Sequence, residues 1–226
     1  MTGTTVNAAA IVCGSLVGVK GGHLLSEKVR GTIMAGLGLA VLLIGAQLAL
    51  KSSQVMIVIG SLIGGGIIGE LLGIEARLEA IGELLGRRFK GSGKVAEGFV
   101  TATLLYCVGA MAIMGSLQDG LGGRPEILYA KAALDGIASV ALASTLGIGV
   151  LFSALPLFAY QGGITLCATA AQQILTPPVV QEMNAVGGLL IVAIALDMLG
   201  IKRLPVGNLL PAVFLAPPLM MIFASH

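Results

Sequence analysis

Asp135 is the residue to which chemistry attaches most readily. It stands in the run 128–175, whose only charged residues are Lys131 and Asp135. A carboxylate inside an apolar segment is costly, about 2.5–3.5 kcal/mol at the centre of a membrane helix, and marks ion or proton pathways. Two readings fit Asp135. It is a cation or proton site, or it forms a local pair with Lys131, its i−4 neighbour, whose long stem reaches towards the surface. Further along, Pro156 is followed by Tyr160-Gln-Gly-Gly-Ile-Thr165. Proline removes a backbone hydrogen bond, and Gly162 and Gly163 loosen the helix, so a break there would expose carbonyls and the Gln161 amide to a solute. The same residues also fit a kinked packing helix. Asn7, near the start of the first apolar run, either joins such a site or caps its helix. Asp197 is the last candidate, a carboxylate near the end of another apolar run. Asp135, Gln161, Gly162, Gly163, Asn7 and Asp197 are therefore the expected substrate-binding residues.

Enzymatic groups are scarce. The two histidines are His23 and His226, and no zinc-protease, serine-hydrolase or phosphate-loop pattern occurs. The three cysteines, Cys13, Cys107 and Cys167, sit in apolar runs, as small buried residues do. No catalytic residue, cofactor or metal site is expected, and the chain reads as a non-enzyme.

The elements that must position these residues follow from composition. Of 226 residues 34 are glycine, 56% are apolar and 11% are charged, and the mean hydropathy is +1.00. Average chains carry about 25% charge. A soluble domain, a disordered chain and a nucleic-acid binder are all excluded. The expected class is an all-α polytopic helical bundle, a single integral membrane domain over 1–226 whose first partner is the lipid bilayer. The N-terminus lacks the basic stretch of a cleaved signal peptide.

A membrane span takes about 20 apolar residues, and eight fit. They are read at 3–20, 31–50, 54–73, 96–116, two within 128–175 divided near Leu146–Gly149, then 183–200 and 206–224. Ten basic residues fall on one side of this arrangement (Lys20, Lys28, Arg30, Arg77, Arg87, Arg88, Lys90, Lys94, Lys202, Arg203) and three on the other (Lys51, Arg124, Lys131). Basic loops stay in the cytoplasm, which places both termini outside. Residues 74–90 alternate apolar and charged side chains at helical spacing and read as a surface amphipathic helix. Gly60, Gly64, Gly65, Gly69 and Gly73 form a small-residue row of the kind that joins membrane helices, and are the expected homodimer contact.

Sliding the chain by 150 positions aligns 26–44 with 176–194, with Val29/Val179, Ala35/Ala185, Gly38/Gly188, Leu39/Leu189 and Ile44/Ile194 identical. In this alignment Gln47 corresponds to Asp197. Spans 1–3 then correspond to spans 6–8. An offset of five reverses membrane direction, giving the inverted repeat common in secondary transporters.

The runs Thr101-Ala-Thr-Leu-Leu-Tyr-Cys-Val-Gly-Ala-Met-Ala-Ile-Met-Gly-Ser-Leu-Gln-Asp-Gly-Leu, Leu134-Asp-Gly-Ile-Ala-Ser, Thr145-Leu-Gly-Ile-Gly-Val, Tyr160-Gln-Gly-Gly-Ile-Thr-Leu and Gly207-Asn-Leu-Leu-Pro-Ala resemble a bacterial multi-pass family, domain of unknown function 554. The resemblance covers nearly the whole chain and implies a bacterial inner membrane. It brings no settled activity and no site residues. The leading expectation is a secondary transporter or channel-like permease for a small solute or ion. The alternative is a non-transporting scaffold that recruits a partner through the 74–90 helix.

Overall fold

A computed structural model describes residues 1–22, 24–88, 92–107 and 110–223. His23, His226, and Phe89 and Lys90 at the end of the expected amphipathic segment, lie outside the described residues. All elements among them are helical: α1 (Thr2–Gly22), α2 (Glu27–Ala49), α3 (Val55–Leu72), α4 (Ile74–Arg88), α5 (Ser92–Cys107), α6 (Ala110–Gly120), α7 (Glu126–Leu146), α8 (Gly149–Phe152), α9 (Ala154–Leu166), α10 (Ala168–Ile174), α11 (Pro177–Met198), α12 (Val206–Leu209) and α13 (Pro211–Phe223). Seven segments are long and apolar enough to cross a membrane: α1, α2, α3, α7, α8–α9, α11 and α12–α13. The pair α5–α6 makes an eighth crossing if counted as one, and it is bent by 62°. The single straight span expected over 96–116 is thus two helices.

Sequence chemistry explains most boundaries. Ser26 accepts a hydrogen bond from the Val29 amide at the start of α2, as an N-cap does. Thr176 in extended conformation with Pro177 behind it opens α11, because proline at the first helical position loses no hydrogen bond. Gly73 ends α3 with φ 60° and Gly147 ends α7 with φ 81°, a region that glycine enters without steric cost. The division expected near 146–149 is there. The expected break at Gly162–Gly163 is not. Both glycines lie within α9, and the sixth crossing is interrupted instead at Ser153 and Cys167. Pro156 falls in the first turn of α9, where its missing amide is tolerated. The Ser153 hydroxyl donates to the Val150 carbonyl at 2.6 Å and helps turn the chain there.

The crossings pack mainly as pairs. α1 runs parallel to α7, with Gly14 against Gly136 and Gly18 against Val140. α2 runs antiparallel to α11, and α3 to α12–α13. α11 is buried along most of its length, whereas α2 exposes most of its surface. One face of the bundle gathers Met1, the 50–54 turn, the 121–125 loop and Thr176. The opposite face gathers the 24–26 turn, α4, Gly147 and the 199–205 loop.

The glycine row of α3 is taken up within the chain. A methyl group on Gly65 would collide with the Ala212 backbone, and one on Gly69 with the Asn208 carbonyl. Gly73 serves as the helix end. The surface expected to join two copies therefore closes largely on α12–α13, because only glycine lets the backbones approach this closely. Gly65→Leu is expected to cost roughly 1–3 kcal/mol by overpacking. Thermal unfolding in mild detergent should show the loss, with light scattering reporting an unchanged oligomeric mass.

Candidate functional site

The polar residues of α1, α7 and α9 recur at helical spacing, so each helix turns a short polar stripe inward. On α1 these are Thr4 and Asn7, on α7 Lys131, Asp135 and Ser139, and on α9 Gln161 and Thr165, all buried. The α1–α7 glycine contact draws the first two stripes together, and α9 closes the third side.

Asp135 lies at the centre. The Lys131 ammonium donates to Asp135 Oδ1 at 2.9 Å and to Oδ2 at 2.7 Å. The Asn7 amide donates to Oδ2 at 3.0 Å and to Gln161 Oε1 at 3.4 Å. Thr4 and Thr165 hydroxyls lie 3.4 Å apart beside this group. Below it, the Tyr106 and Ser139 hydroxyls form a 2.8 Å hydrogen bond. The group is buried, yet two of its atoms have no hydrogen-bond partner among the described residues. They are Asn7 Oδ1 and Gln161 Nε2, and both side chains are 0% exposed. A buried amide atom left unpaired costs about 1–3 kcal/mol, so two of them at one point call for an explanation, such as a bound water or ion.

The sequence candidates thus separate. Asn7, Asp135 and Gln161 meet. Gly162 is buried near the Met1 side chain, and Gly163 is exposed with no neighbouring atom within 4 Å of where a side chain would begin. Asp197 lies at the opposite face, in a cavity of about 670 Å³ between α4, α5, α11 and α12. Glu75, Glu79, Glu83 and Glu97 line it with Asp197, against Arg87 and Arg203. Arg203 pairs with Glu79, and Arg87 lies 3.9 Å from Glu83. Glu75 accepts from the Gly207 amide at 2.6 Å. Burial pushes the Glu75 carboxyl above its usual range, and that hydrogen bond only partly offsets the effect. Asn208 accepts from the Glu75 amide at 2.8 Å and donates to Glu70 at 2.6 Å, tying α12 to the α3–α4 junction.

Sequence reading missed two buried carboxylates. Asp119 accepts from the Gly3 amide at 3.0 Å and lies 3.0 Å from the Met1 amino group, capping α1. Glu182 accepts from Ser52 Oγ at 2.6 Å, from the Ser53 amide at 2.8 Å and hydroxyl at 2.9 Å, and from the Gln54 amide at 3.2 Å. Both looked like loop residues. The signal for Glu182 was Thr176-Pro-Pro, which starts α11 early enough to carry Glu182 into its second turn. Among the described residues no group of three or more His, Cys, Asp or Glu side chains is placed to hold a metal ion.

A family model described as "Protein of unknown function (DUF554)" matches residues 2–221. The chain is 34% identical to "Uncharacterized membrane protein YdfK" of Bacillus subtilis (strain 168), over 100% of this chain and 97% of that one. It is 32% identical to "Uncharacterized protein YqgA" of Escherichia coli (strain K12), over 96% of this chain and 95% of that one. No solved structure matches.

Proposed function

Because the chain belongs to the DUF554 family and is a multi-pass membrane protein, we propose that it is a secondary transporter or channel-like permease for a small ion or solute, with Asp135, Asn7 and Gln161 as its polar core. The observation that carries this is the buried group itself. Three crossings spend polar side chains on one point inside the bundle, and two amide atoms there are left unpaired. Interhelical hydrogen bonds also serve to join membrane helices, but the unpaired atoms are a cost that a purely structural cluster does not need.

An inverted repeat supports the same reading. Its two halves are α1–α2–α3 and α8 to α13. α2 and α11 start 150 positions apart behind Ser26 and Thr176, whose backbones are nearly the same, φ −66° and ψ 156° against φ −68° and ψ 158°. Each first-half crossing touches its counterpart: α1 meets α9, α2 meets α11, and α3 meets α12–α13. Contact between counterparts is what a two-fold axis in the membrane plane would produce. The bacterial relatives favour a bacterial inner membrane, and the basic residues favour a cytoplasmic α4 face.

Purified protein in proteoliposomes, offered a panel of radiolabelled ions and small solutes, is expected to take up at least one of them. Asp135→Asn and Gln161→Ala should each slow that uptake at least about tenfold, the scale of one lost buried polar contact of 1.4 kcal/mol or more. Uptake unchanged in both variants would remove the site from the pathway.

A further inference from the structure

Resting on the transport reading above, we propose that the substrate is a small monovalent cation, and that the Lys131 ammonium is its tethered competitor, occupying the position on the Asp135 carboxylate that the cation takes.

Charge balance leads to this. The buried group holds one carboxylate and one ammonium, with the Lys131 and Asp135 side chains 7% and 10% exposed. Exchanging that ammonium for another monovalent cation leaves the buried charge unchanged. An anion or a divalent ion would leave a net charge in a medium where it costs several kcal/mol. The oxygens of this buried group suit a hard cation. The ammonium itself bonds the two Asp135 oxygens; Asn7, which reaches Asp135 and Gln161 Oε1 through its amide nitrogen, also carries a buried, unpaired Oδ1. Oxygen ligands of this kind replace a hydration shell.

Position supplies the rest. Lys131 stands one helical turn nearer the α7 start than Asp135, so its four-carbon stem can withdraw the ammonium towards that surface while the cation enters. At the other face, five carboxylates against two guanidiniums line the 670 Å³ cavity. Such a mouth concentrates cations and repels anions.

The test uses the whole protein in mild detergent, with thermal unfolding followed in sodium chloride and in methylammonium chloride. Choline chloride at equal ionic strength, too bulky for the site, is the control. Sodium or methylammonium should raise the midpoint where choline does not. Lys131→Ala should reach half its shift at a concentration at least about tenfold lower, a change of 1.4 kcal/mol, and Asp135→Asn should abolish the response. A second measurement needs no variant: the probe cation should speed acylation of Lys131 in the wild type, read by mass spectrometry. Indifference to both cations together with unchanged Lys131 acylation overturns the proposal, as does an undiminished response in Asp135→Asn. Cation binding without flux in proteoliposomes would remove the transport reading and keep the cation site. Flux of a neutral solute with no cation response would keep transport and remove this proposal.

Discussion

Asp135→Ala is expected to destabilise the protein by about 3–5 kcal/mol, and adding Lys131→Ala to recover more than half of that loss. Removing the carboxylate alone leaves the ammonium without its partner, so that it stays buried unpaired or gives up its packing to withdraw towards the α7 start, and breaking a buried pair from one side costs this much. Removing both partners leaves a cavity and the Asn7 amide to be resatisfied, with no buried charge. The double-mutant cycle is read by unfolding in mixed micelles of the wild type, both single variants and the double. Additive effects would show that Lys131 and Asp135 do not act as a pair. Large coupling fits either a structural clamp or a cation site, and the cation titration separates those two.

The second large effect is at Glu182, on the opposite flank of the bundle. Its carboxylate is 0% exposed and accepts four hydrogen bonds, two of them from the backbone that opens α3. Among the described residues no ammonium or guanidinium forms an ion pair with it, so hydrogen-bond donors are its partners. Charge-assisted hydrogen bonds contribute about 1.5–3 kcal/mol each. Glu182→Ala is therefore expected to cost about 3 kcal/mol or more, and Glu182→Gln, which keeps one acceptor, clearly less. Amide exchange at Ser53 and Gln54 should quicken in step with the loss. Unchanged protection there would mean that the turn holds its shape without the carboxylate.

Much of this was legible in the sequence, for reasons that differ by element. The membrane class and most crossings followed from apolar runs closed by charge, because lipid leaves a chain few alternatives to helix. The α7 end was legible because Gly147 and Gly149 fall together there, and Gly147 takes the positive φ that ends the helix. The α5–α6 bend was not, since the run 96–116 contains neither proline nor a charge beyond Glu97 to mark it. In α9 the glycines suggested a break at the wrong place. Helical hydrogen bonding persists through Gly162 and Gly163, and the turn at Ser153 depends on a side chain bonding back to Val150. The site was half visible. A stripe such as Lys131, Asp135 and Ser139 can be read from spacing alone, but the meeting of Asn7 with Asp135 joins residues 128 positions apart, and only packing brings that about. Asp197, read from sequence at the end of its span on the side of the basic loops, lies at the α4 face and apart from Asp135.

The pairing of crossings also constrains synthesis. Each early helix finds its lasting neighbour in a segment made more than a hundred residues later: α1 in α7, α2 in α11, α3 in α12–α13. A half-made chain would hold Gly45, Gly65 and Gly69 as open grooves against lipid, and the 50–54 turn would lack Glu182. Nor does α11, which faces protein along most of its length, reach its full environment until α12–α13 follow it. These pairings therefore close only once the C-terminal half has been made, and the earlier helices must stay in the bilayer unpaired until then.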